Sequence, residues 1–335
     1  MKIFFMILSP IFLFGEISQE CIGSTMVKYF DISRKRPITL EIWYPVDTDC
    51  PCVETLPSIW HSVWTMPKEM KEANMATSDH PFPFIIISHG NFSDRRAHSW
   101  IAEYFVKKGF IVASIDHFGN TWYQSSSDFF LRLWDRPLDI THALDRLLTD
   151  PYFAPHIDPE KIGFIGYSLG GMTGIWLAGG RWVDIRNIPD FHTQYGDIPE
   201  SIVKKMKEKM DIQESIQSFQ DTRIKAMFLM APAAGGFDER TLQQISIPIL
   251  IVASKADKVL PIHLHSEILF HHIPYSKLVL FEGAIGHFIF FNQVTEYGEK
   301  MFQKWQIADD PPSIRQDIHE KSARLAGEFF EEIFK

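Results

Sequence analysis

A serine between two glycines is the residue of this sequence best suited to chemistry. Residues 161–174 read KIGFIGYSLGGMTG, where an apolar run that predicts a strand leads into Gly166, Ser168 and Gly170 and then into a predicted helix. In a sharp strand-to-helix turn the central serine projects its hydroxyl out of the sheet, and the flanking glycines let neighbouring backbones approach. The spacing predicts a nucleophilic serine, Ser168, at the start of a helix.

A serine hydroxyl becomes a good nucleophile when a histidine takes its proton and an acid orients that histidine. Chains with this kind of turn carry the partners in the order serine, acid, histidine, on loops after later strands. Asp257 follows the apolar run Ile249–Ala253, and His287 lies on a glycine-containing loop after Lys277–Phe281. We therefore predict Ser168, Asp257 and His287 as catalytic residues.

Other side chains compete for these roles. Asp238 and Glu239 follow the preceding predicted strand and are the reserve candidates for the acid. His89 follows an early strand and is an alternative base, although we interpret it as a structural residue beneath the turn.

Negative charge on an attacked carbonyl oxygen requires hydrogen-bond donors, which are often backbone amides. The amide of Leu169 lies at a predicted helix N-terminus and is one such donor. The second is expected in the turn after Phe84–Ser88, where Gly90 permits a sharp bend and leaves the amide of Asn91 available. The predicted oxyanion hole is therefore formed by Asn91 and Leu169.

A sheet is needed to position these residues, and the sequence predicts one. Apolar runs of about five residues suit strands buried on both faces, and helical patterns follow some of them, at Ser99–Lys108 and Pro137–Leu148. The strongest strand candidates are Thr39–Tyr44, Phe84–Ser88, Ile111–Ile115, Ile162–Gly166, Ala226–Met230, Ile249–Ala253 and Lys277–Phe281. With no repeat or linker to divide the chain, this pattern predicts a single α/β domain over residues 24–335, with a mostly parallel sheet and helices on both faces.

Residues 181–223 interrupt this alternation with two prolines and a charged stretch. We predict an insertion that forms a helical cap; a solvated surface excursion is the alternative. Aromatic residues near this insertion and after an earlier strand are candidates for lining an apolar acyl pocket, or for packing beneath a lid. These residues are Trp122, Tyr123, Trp182 and Phe191.

Composition narrows the classes of partner and cofactor. The 335 residues contain 33 Lys and Arg against 42 Asp and Glu, a net charge of -9, so nothing favours binding to a nucleic-acid backbone. The only cysteines, Cys21, Cys50 and Cys52, form no zinc-ligand pattern, and a disulfide from Cys21 and free thiols are both open. The HxH and HH pairs within residues 263–272 have only weakly metal-like spacing. We expect no metal and no organic cofactor.

The N-terminal residues MKIFFMILSPIFLF have the length and apolarity of a secretory signal. We predict a signal peptide over residues 1–20 with an uncertain cleavage site, and hence a periplasmic or secreted protein; a buried N-terminal strand or helix in a cytoplasmic protein is the alternative. No later apolar segment is long enough to span a bilayer, so we expect no transmembrane domain after processing.

Several stretches together resemble the α/β-hydrolase superfamily, and within it the bacterial predicted dienelactone hydrolases that are similar to platelet-activating-factor acetylhydrolases. The stretches are EIWYP (41–45), IIISHGNFSDRR (85–96), GFIVASIDHFGN (109–120), RPLDITHALDRL (136–147), GYSLGG (166–171) and GAIGHFIF (283–290). The resemblance implies a cofactor-free esterase that uses Ser168, Asp257 and His287. Dienelactone hydrolases carry cysteine where this chain has Ser168. The phospholipid acetylhydrolases carry their acid after an earlier strand, where this chain reads Met230-Ala231-Pro232.

The expected function is therefore hydrolysis of carboxylic esters through an acyl-enzyme, with short-chain or lipid-like acyl esters as substrates. A lactone or peptide hydrolase on the same fold, or a non-catalytic binding protein with this fold, are the alternatives. The expected partner is a small-molecule or lipid-like ester. The sequence does not decide the oligomeric state.

Overall fold

The computed structural model describes residues 21–47, 63–187, 200–302 and 311–335, in which nine strands form one sheet and two short strands pair separately. In chain order the strands are β1 (Ile22–Asp31), β2 (Arg36–Tyr44), β3 (Glu69–Lys71), β4 (Phe82–Ser88), β5 (Ile111–Asp116), β6 (Asn120–Thr121), β7 (Gln124–Ser125), β8 (Ile157–Tyr167), β9 (Ile224–Met230), β10 (Ile249–Ser254) and β11 (Ser276–Phe281). All seven strands predicted from apolar runs are confirmed.

The strand order of the main sheet is β11-β10-β9-β8-β4-β5-β2-β1-β3. Strands β4, β5 and β8 to β11 run parallel, whereas the β1–β2 hairpin joins the sheet antiparallel to β5. The chain passes from β4 to β5 on one side and then crosses to β8 on the other side of β4. The strand order therefore changes direction between β4 and β8, and sheets of this kind bind ligands at the carboxyl ends of the strands at such a point.

Burial on both faces explains the apolar runs. In β4, Phe84 and Ile86 contribute to the core on one face of the sheet, and Ile85 and Ile87 to the core on the other, with no exposed surface on any of them. A strand covered on both sides has no solvated face, so its sequence lacks polar alternation.

Helices cover both faces, as predicted. They are α1 (Ser99–Lys107), α2 (Asp135–Leu147), α3 (Leu169–Leu177), α4 (Glu200–Lys209), α5 (Ile212–Ser215), α6 (Glu239–Leu242), α7 (Ser266–His272), α8 (Glu296–Phe302) and α9 (Pro312–Ile333). Helices α2 and α3 pack on the face that contains Ile86, and α1 and α9 on the face that contains Ile85. The predicted helices at Ser99–Lys108 and Pro137–Leu148 are confirmed to within two residues.

The described part of the insertion contains α4 and α5. Lys205 of α4 forms an ion pair with Asp128, and Glu214 of α5 lies 2.6 Å from Arg132, so both helices contact the 3₁₀ turn Ser127–Arg132. Phe191 lies outside the described residues. The role of this insertion as a cap over the site stays a prediction.

A disulfide bond constrains the chain just before β1. Cys21 is buried and takes part in a disulfide, whereas Cys50 and Cys52 lie outside the described residues, as does the predicted signal peptide over residues 1–20. Within residues 21–47, 63–187, 200–302 and 311–335, no helix has the length and hydropathy required to cross a membrane.

Candidate active site

Ser168 occupies a strained turn between β8 and α3. Its backbone has φ +54° and ψ −116°, a conformation that is rare for a residue with a side chain. A methyl group on Gly166 would overlap the Gly170 carbonyl, and one on Gly170 would overlap the carbonyl oxygen of Ser88. Close approach of backbone on both sides of the turn is the physical reason for the two glycines that flank Ser168.

The structure brings Ser168, Asp257 and His287 together in one hydrogen-bond chain. The Oγ atom of Ser168 lies 3.0 Å from Nε2 of His287, and Nδ1 of His287 lies 2.6 Å from Oδ2 of Asp257. All three residues are less than 10% exposed. The loop after β10 carries Asp257 and the loop after β11 carries His287, so the parallel sheet places all three at its carboxyl end.

The remaining oxygen of Asp257 is fixed by its own loop. Oδ1 accepts hydrogen bonds from the amides of Val259 and Leu260, at 2.9 and 2.8 Å, which orients the carboxylate toward His287. The reserve candidate Asp238 is engaged elsewhere, because it caps the N-terminus of α6 and pairs with Arg240 at 2.8 Å. The geometry therefore favours Asp257 over Asp238 as the partner of the histidine.

The turn after β4 lies against the turn that contains Ser168, which we call the serine turn. A methyl group on Gly90 would lie 2.9 Å from the ring of Tyr167, the residue before Ser168. Within the described part of the chain, neither the amide of Asn91 nor that of Leu169 donates a hydrogen bond. The role of these two amides as an oxyanion hole stays a prediction.

A buried arginine holds this turn in place. Arg136 donates to the Ser88 hydroxyl at 3.1 Å, to the His89 carbonyl, and to the Asn120 side chain at 2.8 Å. The amide group of Asn120 in turn donates to Oδ1 of Asn91 at 2.8 Å. Burial lowers the pKa of Arg136 to about 9. Sequence analysis missed this network, because α2 brings Arg136 to the turn only when the chain is folded.

A second Ser-His-Asp chain lies beneath the turn. Ser88 Oγ lies 2.9 Å from His117 Nε2, and His117 Nδ1 lies 3.1 Å from Asp139 Oδ2. None of these three residues has exposed surface, and burial together with Arg136 and nearby arginines lowers the pKa of His117 well below its usual value. No substrate reaches a hydroxyl in this position. We therefore interpret the hydrogen bonds that join Ser88, His117 and Asp139 as structural.

His89 also belongs to this buried layer. Its Nδ1 donates to the Gly90 carbonyl at 2.6 Å, and its Nε2 accepts from the amide of His117 at 3.2 Å. Both ring nitrogens are thus engaged with backbone, which agrees with the interpretation of His89 as a structural residue.

The aromatic residues that were candidates for the acyl pocket make contacts of their own. The Trp122 ring nitrogen donates to Asp94 at 2.8 Å, and the Tyr123 hydroxyl donates to Asp116. Trp182 is 2% exposed and packs against Trp176 with ring centroids 4.9 Å apart. Trp182 is therefore a core residue at this position.

Comparison with solved structures identifies the fold. A ferulic acid esterase from Streptomyces cinnamoneus matches the chain with a TM-score of 0.62 and 15% sequence identity, over 96% of this chain and 92% of that chain. The chain has the α/β-hydrolase fold. No family model and no curated protein matches the chain, so the resemblance to dienelactone hydrolases and acetylhydrolases remains a prediction from the sequence.

Among the described residues, no group of three or more His, Cys, Asp and Glu side chains is arranged to hold a metal ion. The chemistry available from the side chains that meet here is that of a hydroxyl, an imidazole and a carboxylate in series.

Proposed function

We propose that this protein is a serine hydrolase of carboxylic esters that acts through an acyl-enzyme. The observation that carries the proposal is the chain of hydrogen bonds from Ser168 to His287 to Asp257, built on a strained turn of an α/β-hydrolase fold. Backbone strain of this kind is concentrated at functional sites. The ferulic acid esterase of similar fold supports an ester as the class of substrate.

In the proposed reaction, Nε2 of His287 accepts the hydroxyl proton of Ser168 while Oγ forms a bond to the ester carbonyl carbon. The electron pair of the C=O bond moves to its oxygen, which the amides of Asn91 and Leu169 stabilise. The ester C–O bond then breaks, and His287 donates the proton to the leaving alcohol. Asp257 holds the imidazole in the tautomer that accepts at Nε2.

Water completes the cycle. His287 removes a proton from a water molecule while the oxygen of that water attacks the acyl carbon. A second oxyanion then forms beside the amides of Asn91 and Leu169. Collapse of this intermediate breaks the bond to Oγ, returns the proton to Ser168 and releases the carboxylic acid. The proposed substrates are short-chain or lipid-like acyl esters, consistent with a dienelactone hydrolase-like or acetylhydrolase-like branch.

The first experiment is labelling of the purified protein with a fluorophosphonate probe, followed by mass mapping of the modified peptide. It is performed beside hydrolysis of p-nitrophenyl esters of graded acyl length and of an aromatic acyl ester. We expect labelling at Ser168 and a preference for acyl chains of two to four carbons. Absence of both labelling and hydrolysis in the folded protein would contradict the proposal and favour a binding protein.

Variants assign the activity to the site. Ser168→Ala should abolish labelling and reduce turnover by up to about 10⁶-fold, since the nucleophile is lost. Ser78→Ala, at an exposed position, is the matched control and should retain both. Unchanged hydrolysis by Ser168→Ala would remove Ser168 from the mechanism.

A further inference from the structure

The segment that contains His287 is held by hydrogen bonds from side chains to its backbone carbonyl groups. Residues His287–Phe290 form a single 3₁₀ turn, which Phe291 ends. Each of the five carbonyls from residue 287 to residue 291 accepts a hydrogen bond from a side chain. The donors are Tyr167 to His287 (3.1 Å), Arg315 to Phe288 (2.5 Å) and Phe291 (3.1 Å), His319 to Ile289 (3.0 Å), and His98 and Trp100 to Phe290 (2.9 and 2.8 Å).

A turn this short does not determine its own shape. The i to i+3 hydrogen bonds of 3₁₀ turns have poor geometry, and here the Ile289 amide reaches the Gly286 carbonyl at 3.5 Å. A buried carbonyl without a partner would cost free energy. The side-chain donors therefore satisfy these carbonyls and determine where the turn lies.

Two of the donors lie on the same face of the C-terminal helix. Arg315 and His319 of α9 are four residues apart, which places them one above the other. Nη1 of Arg315 bridges two of these carbonyls, that of Phe288 within the turn and that of Phe291, which ends it. Arg315 is 1% exposed, so no water replaces these bonds in the folded protein.

The imidazole of His319 is positioned as well. Its ring stacks on that of Trp100, with centroids 4.0 Å apart and an angle of 3° between the planes. Burial lowers the pKa of His319 to about 3, so the ring is neutral near pH 7. A neutral ring has one N–H, and the contact with the Ile289 carbonyl requires that proton at Nε2.

We propose that Arg315 is a positioning residue for the base, and that helix α9 holds His287 in line with Ser168 by fixing the carbonyls of Phe288, Ile289 and Phe291. The catalytic consequence rests on the proposed function. Since His287 accepts a proton across 3.0 Å, a small shift of its segment would misalign the transfer. A displacement of about 1 Å at a reacting group can cost on the order of 100-fold in rate.

The kinetic experiment uses Arg315→Met, which keeps much of the length of the side chain and removes its donors. We expect kcat to fall by about 10- to 100-fold with KM changed by less than about threefold. Arg315→Lys retains one charged donor and should recover part of the lost kcat. A kcat for Arg315→Met within about twofold of the wild type would overturn the proposal.

Two control variants, one in α9 and one at the residue that follows it, separate positioning from folding. Phe334→Ala removes a buried ring that packs on Phe110 and Phe330 at the far end of α9, and should lower the melting temperature with kcat retained. Arg324→Ala removes an exposed arginine and should change neither. If Phe334→Ala loses as much kcat as Arg315→Met, the effect is one of stability and the proposal fails.

Hydrogen exchange tests the anchoring without any substrate. The amide of Phe291 donates to Phe288 at 3.2 Å and that of Asn292 to Ala97 at 2.8 Å. Both should exchange faster in Arg315→Met and at the wild-type rate in Arg324→Ala. Unchanged exchange in Arg315→Met would overturn the proposal. If the wild type neither hydrolyses esters nor reacts with fluorophosphonate, the proposed function fails, while this measurement still decides whether Arg315 anchors the segment.

Discussion

Individual residues at the site differ in how they are held. The hydroxyl of Ser168 owes its position to a strained backbone, whereas Asp257 is oriented by the two amides that bind its Oδ1. The carboxylate therefore stays aimed at His287 without help from distant elements.

The role of Asp257 is testable with a variant of the same shape. In Asp257→Asn, the amides of Val259 and Leu260 retain an oxygen acceptor, but the amide nitrogen placed opposite His287 favours the wrong tautomer of the imidazole. We expect kcat to fall by about 10⁴-fold, as for the equivalent change in other Ser-His-Asp enzymes. Ester hydrolysis by the purified variant is the measurement.

Asp238→Asn is the control for this comparison, because Asp238 caps α6 and pairs with Arg240 away from the histidine. It should retain wild-type kcat. Loss of activity in Asp238→Asn with activity retained in Asp257→Asn would reverse the assignment of the acid.

At the scale of elements, the close approach of the start of α3 to the end of β4 determines the shape of the site. The serine turn lies so close to the end of β4 that no side chain fits at Gly170. The alternation of strand and helix in this region is local and was predicted from sequence, whereas this close contact is between segments about 80 residues apart.

Gly170→Ala should therefore destabilise the fold. Its methyl group would overlap the carbonyl oxygen of Ser88, a backbone atom that cannot rotate away, and we expect a loss of about 3 kcal/mol or more. Gly109→Ala is the matched control. Gly109 has φ +80° and no atoms near the position of the added methyl, so the cost should be only about 1 kcal/mol. Urea unfolding of both variants is the measurement, and equal losses would contradict the argument.

The elements that sequence analysis missed have weaker local patterns. In β1, exposed Met26, Lys28 and Phe30 alternate with half-buried residues, because this strand has one solvated face. Strand β3 is only three residues long. Helix α9 has polar residues on one side, and its apolar side became recognisable as part of the core only when packed against α1.

For the whole molecule, buried neutral histidines predict acid sensitivity. Burial lowers the pKa of His98 to about 4 and of His319 to about 3, against 6.5 for an exposed imidazole. Below pH 6.5 the unfolded chain binds protons that the folded chain does not, so the free energy of unfolding falls as the pH decreases through this window. Asp94 opposes the trend between about pH 6 and 4, since burial raises its pKa to about 6.

Urea unfolding at pH 7 and pH 5 measures the effect. In the wild type, the imidazole of His319 takes up a proton on unfolding at pH 5, and in His319→Gln it is absent. The decrease in the free energy of unfolding from pH 7 to pH 5 should therefore be smaller in His319→Gln than in the wild type, by on the order of 2 kcal/mol. His80→Gln, at an exposed histidine, should show the wild-type dependence on pH. The same dependence in all three proteins would contradict the prediction.

We propose that the protein is exported, since Cys21 takes part in a disulfide and such bonds persist in oxidising compartments. Cys21→Ser should lower the free energy of unfolding by about 2–4 kcal/mol, measured by urea unfolding. A reductant should shift the midpoint of the wild type toward that of Cys21→Ser and leave the variant unchanged. Identical midpoints for wild type and variant would contradict a stabilising disulfide.

The sequence by itself determined the serine turn, the seven core strands and the candidate residues Asp257 and His287. Each of these depends on local pattern: glycine spacing, runs of apolar residues, and loops that follow strands. Only the tertiary structure decided that Asp257 and not Asp238 meets the histidine, and that Ser88, His117 and Asp139 form a buried second chain. It also placed Arg315 in hydrogen-bond contact with the carbonyls of Phe288 and Phe291. These contacts join residues distant in the chain, and no local pattern encodes which distant groups will meet when the sheet and its helices pack.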